Sequence, residues 1–310
     1  MTQTAEQIPV LVICGATGSG KTALALSLAE KIPLEIISAD SRQVYRRMDI
    51  GTAKATRQEQ TVVPHHMIDL IDPDQKFSVA DFVDQARPLI SKIAARGKIP
   101  CIAGGTGLYI RALLGGLADL PSSDPELRKR LHQREDDEGA GSLFRELQRV
   151  DPNAAAVIHP NNLIRVVRAL EVCIVSGRKI SELKAEHCFS EQPYRVLKLA
   201  PAFPRDELYA RINHRAVQML SAGLINEVKG LLEDYPADLK AFQTLGYREV
   251  IRYLKSEIAA EQMLEDIQRS TRQYAKRQLT WFRKDGEIIW VDSSMKSGRV
   301  MESIDEFLLE

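Results

Sequence analysis

Gly15-Ala16-Thr17-Gly18-Ser19-Gly20-Lys21-Thr22 fits the pattern G-x-x-x-x-G-K-[ST], and its residue types suit one task, the holding of phosphate oxygens. The glycines let the backbone curl so that successive N–H groups point inward, and a helix starting at Lys21 adds positive potential. Lys21 supplies a point charge and Thr22 a hydroxyl for a magnesium ion. Nothing in the pattern requires that the phosphate belong to a nucleoside triphosphate. Two more polar clusters, Asp40-Ser41-Arg42-Gln43 and Gly104-Gly105-Thr106-Gly107, carry one carboxylate and one hydroxyl with chemistry of their own. On position alone Asp40 is equally a turn or cap carboxylate and a catalytic one. Near the C-terminus Arg269, Arg272, Lys276 and Arg283 fall within about 60° on a helical wheel. Ile267, Tyr274, Trp281 and Phe282 lie opposite. Such a stripe suits a phosphate backbone, although a solvated helix face is its plainer reading.

These groups need a frame to converge. Residues 8–14 predict a buried strand and 21–31 its helix; Glu35-Ile36-Ile37-Ser38 predicts a second strand, and 66–70 a weaker third. Helical spacing runs over 78–95 and stops at Gly97, and Ile99-Pro100-Cys101-Ile102-Ala103 is another buried strand. Strands alternating with helices imply an α/β architecture, a parallel sheet flanked by helices. Ligands of such sheets sit beyond the carboxyl ends of the strands, where the clusters at 15–22, 40–43 and 104–107 all fall. From 119 to 193 the pattern turns helical: Ser123-Asp124-Pro125 is a helix start, a helix follows near Leu143–Leu147, and another spans 163–175 before Gly177. Strands resume at Val196–Leu199 and end at Ile288–Val291. The chain thus reads as a core of residues 1–118 and 194–310, interrupted by an all-helical insertion domain of residues 119–193.

The bulk numbers exclude some classes. The 310 residues are 44% hydrophobic, ordinary for a globular protein, and no apolar run approaches the ~18 residues of a membrane span. The first residues lack a basic n-region, so no signal peptide is expected. Cys14, Cys101, Cys173 and Cys188 form no C-x-x-C and read as reduced thiols, which suits the cytoplasm. His65-His66 is no metal pair, because adjacent side chains point apart. Formal net charge is zero, which argues weakly against nucleic-acid binding for the whole chain but leaves room for a local basic face. No guanine-reading N-K-x-D occurs, and the strand at 99–103 ends in Gly-Gly-Thr rather than in a magnesium-holding aspartate. A GTPase or an ordinary ATPase is therefore disfavoured.

The order of these motifs resembles the tRNA dimethylallyltransferases, or tRNA isopentenyltransferases. The resemblance runs through Gly15–Thr22, Asp40–Tyr45, Met48–Lys54, Gly104–Tyr109, His159-Pro160-Asn161, Arg165–Val172, Leu208–Arg215, Leu245–Glu249 and Tyr274–Arg283. It implies a P-loop NTPase-like fold and transfer of a dimethylallyl group from dimethylallyl pyrophosphate to the exocyclic amine of the adenosine 3′ of a tRNA anticodon. By that resemblance residues 15–22 cradle the pyrophosphate with Mg2+ on Thr22. Asp40 is the general base, Thr106 lies between donor and acceptor, and Arg215 is a further pyrophosphate contact, although Arg211, one turn away, is an alternative. The implied tRNA contacts are Asp40, Ser41, Arg42, Gln43 and Thr106 around the flipped base. In the insertion they are Arg128, Asn161, Asn162, Leu163, Ile164 and Arg165. In the C-terminal part they are Gln243, Thr244, Leu245, Gly246, Tyr247 and Arg248, then Lys276, Arg277, Gln278, Leu279, Thr280, Trp281, Phe282 and Arg283. The partners implied are the tRNA anticodon stem-loop and dimethylallyl pyrophosphate, with no membrane. The loop departs from the frequent Gly-Pro-Thr-Ala-Ser-Gly-Lys-Thr by Ala16 and Gly18, a change expected to loosen it slightly.

Three other readings stand beside this one. A relative that prenylates free adenine nucleotides needs neither the helical insertion nor the basic stripe. A small-molecule kinase would use the same loop. A non-enzymatic RNA-binding protein leaves the loop unexplained. No long exposed heptad or apolar helix stands out, so a monomer is expected.

Overall fold

The computed structural model describes residues 7–187, 189, 191–292 and 297–309, without the side chains of 297–299. Cys188 and the first six residues therefore lie outside the described residues. Two compact units emerge, Met1–Leu114 with Gln192–Glu310, and Gly115–Glu191. The change of texture expected at 118/119 and 193/194 thus falls a few residues earlier at each junction.

In the larger unit β1 (Ile8–Cys14) leads through the glycine loop into α1 (Lys21–Ala29), then β2 (Leu34–Ser38), α2 (Arg57–Val62), β3 (His65–His66), α3 (Val79–Ala95), β4 (Ile99–Gly104) and α4 (Gly107–Gly115). The smaller unit holds α5 (Pro125–Glu138), α6 (Ser142–Val150), α7 (Pro152–Val157), α8 (Leu163–Ser176) and α9 (Ile180–His187). The chain returns through β5 (Tyr194–Pro201), α10 (Arg205–Ser221), α11 (Leu224–Asp234), a short 3₁₀ turn at Lys240–Gln243, α12 (Tyr247–Leu254), α13 (Ala260–Phe282), β6 (Ile288–Val291) and α14 (Ser297–Leu309).

Six parallel strands pair in the order β3-β2-β4-β1-β5-β6. β1 lies between β4 and β5, and Val10 to Cys14 are all buried, so it reads as an apolar run rather than an alternation. α3 shows why the helices attach. Ser78 and Asp81 form a reciprocal capping box, and Phe82, Val83, Ala86, Ile90 and Ile93 form its buried stripe. Phe82, Ile90 and Ile93 are fully buried, each worth about 2 kcal/mol against exposure.

Of the strand expected over 66–70 only His66 is extended, as the end of the two-residue β3. Met67 and Asp69 take φ of 64° and 53°, a left-handed backbone that no strand sustains. Asp69, Leu70 and Ile71 instead donate their N–H groups to the carbonyls of Gln43 and Val44. This segment backs the turn that carries Asp40–Tyr45. In the helical unit Asp124 caps α5 ahead of Pro125, and Gly177 ends α8 at φ 67°, as the start and stop signals predict. Its core is formed by Leu127, Leu131, Leu143, Leu147, Val166 and Leu170, among others.

Candidate active site

The glycine loop is held in one shape. Gly15, Gly18 and Gly20 have φ of 137°, 79° and 81°, a region that L side chains rarely occupy. A Cβ at Gly18 would approach Ile212 Cγ1 of α10 to 2.8 Å. Gly18 therefore fits a tight packing position, and the loosening expected there is opposed by that packing. Lys21 Nζ donates to the Ala16 carbonyl at 2.8 Å. Burial pushes the Lys21 ammonium down to about 8; Asp40 opposes the shift and Arg215 adds to it. Arg215, on α10, is also lowered by burial, with Asp40 as the counter-charge. Among the described residues Arg215 makes no hydrogen bond or ion pair. Arg211 is differently placed: its Nε donates to the Gly18 carbonyl at 3.1 Å, and its guanidinium stacks 4.5 Å from the Phe203 ring centroid. Arg211 braces the loop, while Arg215 shares a charge field with Lys21 and Asp40.

Asp40 and Thr106 stand at the ends of β2 and β4. The Ala39 N–H donates to the Ala103 carbonyl at 2.8 Å and the Thr106 N–H to the Ala39 carbonyl at 3.1 Å. A side chain at Gly104 would overlap the Ala39 backbone, so glycine is what lets the two strand ends close. The Asp40 carboxylate accepts the Arg42 N–H at 2.9 Å, and Thr106 Oγ1 accepts the Ser41 N–H at 3.1 Å. The Thr106 hydroxyl hydrogen is left free to donate elsewhere. Tyr274 of α13 has its hydroxyl pushed up to about 12 by burial and by Asp40.

The turn bearing Asp40 is buttressed from below. Lys54, 3% exposed at its side chain, donates to the Tyr45 carbonyl and to the carboxylates of Asp49 and Asp69 at 2.6–2.8 Å. Glu227 of α11 accepts the N–H groups of Asp49, Ile50 and Gly51 and the Tyr247 hydroxyl. A side chain at Gly51 would overlap the Tyr247 ring. Sequence reading quoted Lys54 without a role and missed Glu227. Neither the buried lysine nor the distant carboxylate announces itself by spacing.

Several residues assigned to tRNA by resemblance have other partners. The Gln43 amide accepts from Ser38 Oγ and donates toward the carbonyls of Thr52 and Ala53, so it holds its own turn rather than offering its N–H groups to a base. Tyr247, Thr244 and Phe282 are buried, and Arg248 is bound to Glu249 and Ser270. Gln278 is 7% exposed; its Oε1 accepts the Thr17 N–H and its Nε2 donates to the Gly105 carbonyl, both at 2.8 Å. In the helical unit the Arg128 guanidinium is bidentate on Glu171. Asn161, Ile164 and Arg165 are exposed, and Asn162 caps α8 through the Arg165 N–H. The C-terminal stripe is divided. Arg269 pairs with Asp266 and Arg272 with Asn213, whereas Lys276 and Arg283 are exposed with no such partner among the described residues. Trp281, expected on the apolar face, is 41% exposed and lies against Gly107. The helical wheel misplaces it because α4, not α13's own core, is its neighbour.

No group of three His, Cys, Asp or Glu side chains able to hold a metal occurs among the described residues. The loop offers the exposed hydroxyl of Thr22, which has no hydrogen-bond partner among them. The buried Ser19 Oγ is also without a partner. One hydroxyl completed by phosphate oxygens and waters is the donor set magnesium accepts. His65 Nδ1 lies 2.9 Å from the Val63 carbonyl and His66 Nε2 2.7 Å from Glu35, in separate environments. No described helix is long and apolar enough to cross a membrane.

Comparison with known proteins bears on the same residues. Residues 43–285 match the model of the IPP transferase family, and residues 8–69 that of the isopentenyl transferases. The tRNA dimethylallyltransferase 1 of Syntrophotalea carbinolica is 49% identical over 97% of this chain and 96% of its own. The crystal structure of the tRNA isopentenylpyrophosphate transferase of Bacillus halodurans is 40% identical, covers 98% of this chain and 96% of its own, and has a TM-score of 0.71. A eukaryotic dimethylallyltransferase captured acting on tRNA is 30% identical, with a TM-score of 0.84 over 97% of this chain and 79% of its own. The fold is that of these enzymes, a P-loop NTPase-like parallel sheet, and the chain belongs to the IPP transferase family of tRNA dimethylallyltransferases.

Proposed function

We propose that the protein transfers a dimethylallyl group from dimethylallyl pyrophosphate to the exocyclic amine of the adenosine 3′-adjacent to a tRNA anticodon, releasing pyrophosphate. The observation that carries the reading is one charge field at the carboxyl end of the sheet. Two cations with few partners among the described residues, Lys21 and Arg215, share it with the Asp40 carboxylate. A phosphate-rich leaving group fills the need of the cations, and an amine that must lose a proton fills that of the carboxylate.

The adenosine amine forms a bond to the first carbon of the prenyl chain as the carbon–oxygen bond to pyrophosphate breaks. The electron pair of that bond leaves with the pyrophosphate, whose growing charge meets the loop N–H groups, Lys21 and Arg215. Asp40 takes the proton of the attacking amine. The Thr106 hydroxyl, fixed through Ser41, donates toward the donor oxygen. A magnesium ion held with the pyrophosphate by Thr22 would supply further neutralisation of the leaving charge. The target base reaches the Asp40–Thr106 end of the sheet by leaving its stack, and the exposed Lys276 and Arg283 and the Asn161–Arg165 segment are offered to the tRNA. Buried free thiols at Cys14, Cys101 and Cys173 suit a reducing cytoplasm, and the reading takes the protein as a monomer.

The test is transfer of label from dimethylallyl pyrophosphate, with magnesium, to an unmodified anticodon stem-loop and to AMP. Label on the stem-loop alone is expected. Label on AMP would move the activity to free nucleotides, and label on neither would overturn prenyl transfer.

A further inference from the structure

The phosphate loop and the Gly105–Thr106 segment follow different strands, and their spacing sets how far the donor's reacting carbon stands from the acceptor amine. β1 and β4 are in register up to Cys14 and Gly104; beyond that point the ladder ends. There the Gln278 side chain enters from α13. Its Oε1 accepts the Thr17 N–H of the phosphate loop and its Nε2 donates to the Gly105 carbonyl, both at 2.8 Å. The amide is buried, and a Cβ at Gly105 would overlap its nitrogen. An amide is suited to this place because it offers an acceptor to one loop and a donor to the other. An ionised carboxylate can serve only Thr17, and an apolar side chain serves neither.

We propose that Gln278 is a positioning residue that sets the distance between the leaving-group loop and the Thr106 loop, rather than a contact to tRNA. The inference rests on the prenyl-transfer reading above. The pyrophosphate is held by the glycine loop and Thr106 stands between donor and acceptor, so loss of the bridge leaves the main binding contacts and misaligns the reacting atoms, where about 1 Å is worth about 10²-fold in rate. The amide also keeps the Thr17 N–H engaged, so that the loop holds its curl before the donor arrives.

The experiment compares wild type with Gln278→Met, Gln278→Glu and Gly105→Ala, reading kcat, KM for each substrate, stem-loop affinity and Tm. Gln278→Met is expected to lower kcat by about 10²-fold while stem-loop affinity changes less than about twofold. Gly105→Ala displaces the same amide from the opposite side and should reproduce the kcat loss. Gln278→Glu is the sharpest arm. A protonated carboxyl has the same acceptor–donor pair as the amide, and burial favours that form. Its kcat relative to wild type should therefore recover about tenfold as pH falls from about 8 to about 6. A purely structural residue would show that recovery in Tm, and a tRNA-contacting one in stem-loop affinity, rather than in kcat at saturating substrates. A Gln278→Met kcat within about threefold of wild type, or a Gln278→Glu profile parallel to wild type, would overturn the positioning role. So would folding lost in every variant, which would make Gln278 a brace of the fold alone. A wild-type protein that prenylates nothing would overturn the functional reading itself, whereas active wild type with indifferent variants removes only the role of Gln278.

Discussion

Two regions of the molecule hold charge away from full solvent in opposite ways, one fully buried and one half-buried. In the helical unit Glu171 is fully buried and saturated. Arg128 binds it with two nitrogens, Arg168 with a third, and the Asp124 N–H with a fourth hydrogen bond. At the carboxyl end of the sheet, among the described residues, Lys21 has one carbonyl, Arg215 has no partner, and the buried Ser19 Oγ has none. A buried charge that breaks its pairing costs several kcal/mol. The helical unit avoids that cost and so uses its charge as structure. The sheet end tolerates it, which makes sense where a ligand supplies the missing partner.

The comparison can be broken by mutation. The largest expected effect is Asp40→Asn, which should lower kcat by about 10²–10⁴-fold with donor affinity nearly intact, in single-turnover assays. Near-normal turnover would remove Asp40 from proton transfer. Next, Arg215→Met should reduce kcat/KM by about 10²–10³-fold while Tm holds or rises, because the cation removed is half-buried and has no partner among the described residues. Glu171→Gln should do the reverse, destabilising by about 3 kcal/mol in urea melts with turnover at the folded site preserved. Equal losses of stability in the two variants would erase the distinction drawn here.

Acidity sharpens the contrast. Burial pushes the Lys21 ammonium from its ordinary 10.5 down to about 8, so the unfolded chain binds the extra proton between those values. Its contribution to stability should therefore rise with pH across that window, even as donor affinity falls when the ammonium is lost. Glu171 runs the other way. Burial alone would raise its carboxyl, but Arg128, Arg168 and the Asp124 N–H hold it below the usual range. Its stabilisation is present above the ordinary glutamate value and is lost as pH falls through the lowered one. Donor KM and Tm measured across pH check both signs. The smallest effect is expected from Lys276→Ala with Arg283→Ala, which should flatten the salt dependence of stem-loop binding by about one to two units of slope. An unchanged slope would return these residues to a solvated helix face.

How much of this was legible depends on distance along the chain. The phosphate loop was readable because eight contiguous residues decide its shape, and its glycines sit at left-handed φ. The capped starts of α3 and α5 and the glycine stop of α8 are equally local. The third strand was overextended because the left-handed backbone at Met67 and Asp69 is held by Lys54 and by the Gln43–Val44 turn, not by nearby residues. Resemblance marked 276–283 as one segment, but only the structure separates Gln278 and Phe282, turned inward, from Lys276 and Arg283, turned outward. Trp281 was misassigned because helical periodicity tells which residues share a face, not what that face meets.

The sequence by itself determined the alternation of strands and helices, the placement of three polar clusters at strand ends, the helical insertion and the curl of the glycine loop. These follow from steric and periodic rules that act within a few residues. Only the tertiary structure decided that Arg215, and not Arg211, shares the field of Lys21 and Asp40. It alone showed that Lys54 holds the end of the Asp40–Tyr45 turn, that Glu227 holds the Asp49–Gly51 segment that follows it, and that Gln278 joins two loops far apart in sequence. Those pairings depend on which segments the sheet and α13 bring to one place. Hydrogen bonds and charge–charge energies act across a few ångströms of space and carry no trace in sequence spacing.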